Sequence, residues 1–254
     1  YVESDVSDYE ELKRAVTQGE DELGRKATLF FHLAGQISAS EDDTDHWSNF
    51  EEHRILNESD HSILQVMAGK AAGTENICRI ADEREGSQTY VFGSVNGYFG
   101  GASLASYSMG NSFAEAYCRF RNSAGRNVRC FNWSNWKETG ISARIPDAVI
   151  KASARSGFES AETQDYIGYL ETLRHYDLPD VWIGVDIHSR NYQSRIVGEY
   201  EKVLDIFYTE ALSQESKERI AARADHDVKI QYRKVKSIPV TGGTEGYTDF
   251  KTLL

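Results

Sequence analysis

Four polar residues have the types and spacing to move a proton onto an oxygen: Lys70, Ser94, Tyr107 and Asn111. Ser94 closes an apolar run, and Tyr107 and Asn111 follow it in a Ser–x12–Tyr–x3–Asn pattern. Tyr107 opens a helix-like stretch, so Asn111 lies one turn later on the same face. Lys70 falls on the amphipathic stretch before Ser94. Singly, each has an ordinary reading: packing for Tyr107, a loop hydroxyl for Ser94, solvated polar groups for Lys70 and Asn111. Together a phenol, a hydroxyl, an ammonium and an amide supply the donors and acceptors of a proton-transfer site.

The surrounding sequence must hold these groups in place. Leu29-Phe30-Phe31-His32-Leu33-Ala34-Gly35 is apolar and ends at glycine, which predicts a buried parallel strand. From Ser62 to Arg84 the apolar positions Ile63, Val66, Met67, Ile77 and Ile80 predict a helix. Gln88–Ser94 predicts a second strand. Ser108–Ser123 predicts a helix burying Met109, Phe113, Ala116 and Phe120. Asn127–Trp133 predicts a third strand, helices follow around Ala148–Ala154 and Thr163–His175, and Val181–Val185 predicts another strand. Strands alternating with helices imply an α/β fold with a doubly wound, Rossmann-like parallel sheet. Ligands bind beyond the carboxyl ends of such strands, which puts Gly35, Ser94 and Trp133 along one crevice.

The two ends read differently. Tyr1–Val6 resembles the end of a strand, followed by a helix from Asp8 to about Thr17, with no Gly-rich phosphate turn before it. The expectation is a Rossmann-like domain over residues 1–195 that is N-terminally incomplete, its first strands and glycines preceding Tyr1. Residues 196–254 form an expected small α+β appendage. Ile196–Ala211 reads as an amphipathic segment with Tyr200, Val203, Leu204, Phe207 and Tyr208 on its apolar face. Gln214–Asp225 is highly charged, Asp227–Val235 alternates as a half-buried strand, and Ser237–Gly243 reads as a turn-rich linker.

Composition narrows the function. The 28 Lys and Arg against 40 Asp and Glu leave a net charge of −12, which disfavours a nucleic-acid partner. No apolar run approaches the roughly 20 residues of a membrane span. Cys78, Cys118 and Cys130 have no metal-ligand spacing, so no metal is expected and the setting reads as reduced and cytoplasmic. His32, inside an apolar run, reads as a packed core residue. An acidic protein partner would need basic residues gathered locally, for which Arg119, Arg121 and Arg126 are the candidates. The acidic stretch Glu41-Asp42-Asp43 and Asp45 reads as a solvated insertion.

The Ser–x12–Tyr–x3–Asn pattern with an upstream Lys70-Ala71-Ala72-Gly73 resembles the ketoreductase domains of polyketide and nonribosomal peptide synthetases. These belong to the short-chain dehydrogenase/reductase superfamily. Stand-alone members carry Lys four residues after the Tyr; this chain has Asn111 there and Lys70 on the earlier helix, as the assembly-line members do. Phe31-His32-Leu33-Ala34-Gly35 and Trp133-Ser134-Asn135-Trp136 extend the likeness, which covers roughly Tyr1 to Asp186.

The resemblance implies reduction of a ketone by NADPH. Tyr107 would protonate the carbonyl oxygen as general acid. A free phenol has a pKa of about 10, so Lys70 would favour its ionised form while holding the cofactor ribose. Ser94 would hydrogen-bond the carbonyl, and Asn111 would keep Lys70 and a relay water in position. By the same likeness Asp5 and Val6 would line the adenine pocket, Ala34 and Gly35 the ribose, and Trp133–Ser134 the nicotinamide.

Ile238-Pro239-Val240-Thr241, Gly246-Tyr247-Thr248-Asp249 and Leu253 are similar to the closing linker of adenylation domains, with Tyr247 where an active one has Lys. This implies a degenerate adenylation-type subdomain and a depsipeptide-forming module that selects a 2-keto acid. The expected substrate is a 2-ketoacyl thioester on a phosphopantetheine arm. The expected partners are a peptidyl or acyl carrier protein, an adenylation domain of the same synthetase and the N-terminal remainder of the ketoreductase. The alternatives are a polyketide ketoreductase acting on a 3-ketoacyl group and a catalytically inactive reductase-like scaffold.

Overall fold

The computed structural model describes residues 1–38, 51, 54–196, 202–208, 213–223 and 228–234. The acidic stretch around Glu41 and the Ile238–Leu253 tail lie outside the described residues.

Helix α1 (Tyr9–Leu23) starts where Asp8 accepts a hydrogen bond from the Glu11 amide and stops at Gly24 in the left-handed region. It runs longer than expected, and Tyr1–Val6 forms no strand. Those residues are instead a turn: the Asp5 carboxylate accepts from the Ser7 amide and hydroxyl, both at 2.8 Å. Strand β1 (Leu29–His32), helix α2 (Asp60–Asp82), strand β2 (Gln88–Ser94), a short helix α3 (Asn96–Phe99), helix α4 (Ala105–Ser123) and strand β3 (Val128–Trp133) follow. Then come β4 (Asn135–Trp136), a 3-10 turn (Ile141–Arg144), α5 (Asp147–Arg155), β5 (Ser160–Ala161), α6 (Thr163–Leu173), β6 (Asp180–Ile183) and α7 (Arg190–Ile196).

Strands β1-β2-β3-β6 form one parallel sheet in that order. One face packs Phe30, Val91, Val128 and Cys130 against Leu12, Ile77, Ile80, Ala114 and Cys118 of α1, α2 and α4. The other packs Tyr90, Phe131, Trp133 and Ile183 against Tyr166, Leu170 and Leu173 of α6. Helices on both faces make the sheet doubly wound, as the alternating pattern requires. The three cysteines are free and buried. A buried ion pair, Glu20 with Arg84 at 2.5 Å, ties α1 to the residues just beyond α2.

Two further expectations need correction. Strand β1 is half-buried rather than buried: Phe30 and His32 point inward, while Leu29 and Phe31 are 41% and 45% exposed. It is the outer strand of the described sheet, flanked by β2 alone. Helix α4 turns a different face inward from the one its apolar residues suggest. Its buried residues are Ser106, Gly110, Asn111, Ala114, Glu115 and Cys118, whereas Met109, Phe113, Ala116 and Phe120 are exposed. Close packing decides the orientation: a Cβ on Gly110 would lie 3.5 Å from Met67 Cα, so only small residues fit against α2.

The appendage is α+β, as expected. Within the expected amphipathic segment Ile196–Ala211, Lys202–Tyr208 is a strand, β7, paired in parallel with β8 (Val228–Lys234). Its run of Val, Ile, Phe and Tyr favours extended backbone over helix. The charged segment between them forms α8 (Gln214–Arg223). The Asp227–Val235 expectation agrees with β8.

Candidate active site

Ser94 ends β2 and is 6% exposed, its Oγ accepting from the Asn96 amide at 3.2 Å. The chain then turns through α3 and the Gly100–Leu104 loop, where Ser103 takes a positive φ of 57°, before α4 presents Tyr107 in its first turn. Asn111 is fully buried one turn on, and its Nδ2 donates to the Tyr107 carbonyl at 2.8 Å. Gly97 lets α3 approach there, since a Cβ would sit 3.1 Å from the Asn111 backbone. The Asn111 Oδ1 is buried without a protein partner, leaving an acceptor free beneath Tyr107.

Lys70 reaches the same place from mid-α2. It is 5% exposed, and its Nζ donates to the Phe92 carbonyl at 2.5 Å. Its path is cleared by glycine: a Cβ on Gly35 would lie 2.8 Å from Lys70 Cε, and one on Gly110 would lie 3.3 Å from Lys70 Cβ. Burial lowers the Lys70 pKa to about 8, with Cys130 and Cys118 opposing the shift. An ammonium has three donors, so two remain after the bond to Phe92. Burial raises the Tyr107 pKa, while hydrogen bonds to Ser94 and Asn111 pull it back.

His32 lies below Lys70, 4% exposed, with a ring nitrogen bonded to the Gly69 backbone. Burial, then Lys70, lowers its pKa to about 3. Among the described residues no group of His, Cys, Asp and Glu is arranged to hold a metal ion.

Lys70, Ser94 and Tyr107 open into a cavity of about 760 Å³ that also borders Gly35, Trp133 and Ser134. The crevice expected along Gly35, Ser94 and Trp133 is therefore one space. Trp133 stands in an aromatic wall with Phe92, Trp136 and Tyr166, ring centroids 5.1–5.3 Å apart. The cavity's other side comes from the 3-10 turn and α5, through Ile141, Ile145, Ala148, Val149 and Ala152. Sequence reading found α5 but not its role. The alternation of apolar and charged residues between Ile145 and Arg155 marks a two-faced helix without saying what lies beneath it.

Three cofactor candidates do not line this cavity. The Asp5 carboxylate caps the turn before α1, Val6 packs against the core near His32 and Gly73, and Ala34 is not among the lining residues. The basic candidates for a partner surface each lie beside an acid, Arg121 and Arg126 beside the same one. Arg119 bonds Glu115 and Asp180, both at 2.7 Å, Arg121 pairs with Asp82, and Arg126 lies 3.6 Å from Asp82. No helix among the described residues is long and apolar enough to cross a membrane.

Residues 1–138 match the family described as the KR domain, and the chain belongs to it. It is a ketoreductase domain, and its relatives include polyketide synthases, of which it spans only a small part. It is 32% identical over 89 residues, 35% of its length, to the Cluster 41 polyketide synthase of Aspergillus flavus, and spans 8% of that protein. Over 238 residues, 90% of its length, it is 25% identical to polyketide synthase PksM of Bacillus subtilis, spanning 5% of it. Its fold matches the adenylation, ketoreductase and pseudo-Asub multidomain structure of a keto acid-selecting NRPS module. That match has a TM-score of 0.63 at 17% identity and covers 100% of this chain and 21% of the other.

Proposed function

We propose that the chain carries the catalytic residues of an NADPH-dependent ketoreductase that reduces a carrier-tethered 2-ketoacyl thioester to a 2-hydroxyacyl thioester. The observation that carries the reading is the meeting of Ser94, Tyr107 and Lys70 at one largely apolar cavity. Bound NADPH supplies the hydride. Ser94 Oγ and the Tyr107 hydroxyl would hold the ketone oxygen, and Tyr107 gives it a proton. The Lys70 ammonium, with two donors left, steadies the phenolate and grips the ribose beside Gly35. Asn111 Oδ1, lacking a protein partner, would accept from the water that returns the proton.

The residues present suit one end of the cofactor. Gly35 allows close backbone approach next to Lys70, and Trp133 and Ser134 border the cavity where a nicotinamide would lie. Among the described lining residues there is no Arg and no Lys besides Lys70 to hold the cofactor's phosphates.

The 2-keto assignment rests on the Ile-Pro-Val-Thr tail and on the keto acid-selecting module that shares the fold. With it go an adenylation domain and a carrier protein as partners, and a degenerate adenylation-type unit over residues 196–254. The second reading is a 3-ketoacyl thioester, favoured by the polyketide synthases among the relatives. Following NADPH oxidation by the full-length polypeptide on matched 2-ketoacyl and 3-ketoacyl thioesters separates the two. Turnover of the 2-keto substrate is expected, and turnover of the 3-keto substrate alone rejects the depsipeptide reading. No oxidation of either substrate favours the inactive scaffold.

A further inference from the structure

The side of the cavity opposite the proton-transfer residues has a consistent chemistry. Ile145, Ala148, Val149, Ala152 and Ser153 border the cavity, at the three- and four-residue steps that share a helix face. The charges of the same segment fall elsewhere: Arg144, Asp147, Lys151 and Arg155 follow one another at near-helical steps, and none borders the cavity. Helix α5 thus sorts its residues, apolar toward the cavity and charged away from it.

The sorting is not forced by a core. No residue of α5 is buried, and among the described residues its apolar face borders the cavity. Among the described lining residues there is no Asp, Glu, His or Arg, and the one ammonium, Lys70, is bonded to Phe92 on the far side. We infer that the acyl group accepted here ends in an uncharged, apolar chain seated against Ile141, Ile145 and Val149, and that chains ending in a carboxylate or ammonium are rejected. The inference rests on the ketoreductase reading but is indifferent to whether the ketone is at position 2 or 3. Its physical basis is desolvation: a charge set against this wall loses water and meets no opposite charge, only hydroxyls such as those of Thr139, Ser142 and Ser153.

The test uses the full-length polypeptide and three thioesters of equal chain length, ending in an isopropyl group, a carboxylate or an ammonium. The isopropyl substrate is expected to exceed both others in kcat/KM by about 100-fold or more, since apolar pockets already reject a hydroxyl by roughly that factor. Comparable kcat/KM for either charged chain overturns the inference while leaving the ketoreductase reading intact. Failure of all three to consume NADPH overturns the ketoreductase reading itself. Val149→Lys, which puts a cation on the apolar face, is expected to narrow the isopropyl-to-carboxylate ratio by about 10-fold. Lys151→Ala on the outer face should leave that ratio unchanged. A ratio unmoved by Val149→Lys, or moved equally by Lys151→Ala, assigns selectivity to another part of the site.

Discussion

The two sides of the cavity are built on opposite principles. The side that carries Lys70, Ser94 and Asn111 belongs to the sheet and its two packed helices, and each of the three is at most 6% exposed. Glycines at 35, 93, 97 and 110 make room for close neighbours: an added Cβ would press on the side chains of Lys70 and Asn132 or on the Asn111 backbone. The side made by the 3-10 turn and α5 buries no residue of its own, and Asn135 donates to Ser153 there at 3.0 Å. On the proposed reading the groups that exchange a proton sit in the close-packed part, which fixes their positions. A surface that accepts one acyl chain over another needs shape and polarity more than rigidity, and can be altered without loss of the fold.

Three measurements would break or sharpen this contrast. The largest effect is expected from Tyr107→Phe, which keeps the ring and removes the proton: kcat should fall by about 100- to 10,000-fold with an unchanged melting temperature. An undiminished rate would move the proton donor away from the rigid side.

Next is stability. Ile80→Ala, at a fully buried position of α2, should cost about 2–5 kcal/mol in urea unfolding. The same change at half-exposed Ile145 should cost less than about 1 kcal/mol while altering kcat/KM. Equal losses at the two positions would mean that the α5 side is as firmly packed as the sheet.

The smallest effect concerns pH. The Lys70 pKa falls from its ordinary 10.5 to about 8 in the folded protein, so its charge is present below pH 8 and lost above it. The rate should decline on that limb, and Lys70→Arg, charged throughout, should move the limb upward. Stability runs the other way. Between about pH 8 and 10.5 the unfolded chain binds a proton that the folded one does not, so Lys70 makes stability rise with pH across that window. A rate limb that stays near pH 8 in Lys70→Arg would detach it from this residue.

Much of this was legible in one dimension. Alternating apolar runs marked the parallel strands, with β2 agreeing residue for residue, because strand and helix periods are local properties. The Ser–x12–Tyr–x3–Asn spacing singled out the groups that meet at the cavity, since a strand end and the following helix start are held to one crevice by chain connectivity. Where a single period served two purposes, sequence misled. Met109, Phe113 and Phe120 look like a core stripe, yet glycine and alanine hold the packed face of α4. Lys202–Tyr208 has helical spacing but strand-forming residues.

What the sequence determined by itself was the wound sheet, because strand and helix periods are local, and, through the resemblance its motifs carry, the ketoreductase family. Only the tertiary structure decided three further matters. Lys70 is steered by Gly35 and Gly110, Arg119, Arg121 and Arg126 lie beside acids, and α5 turns its uncharged face to the cavity. Each depends on contacts between residues far apart in the chain, and spacing along one strand of sequence carries no record of those distances.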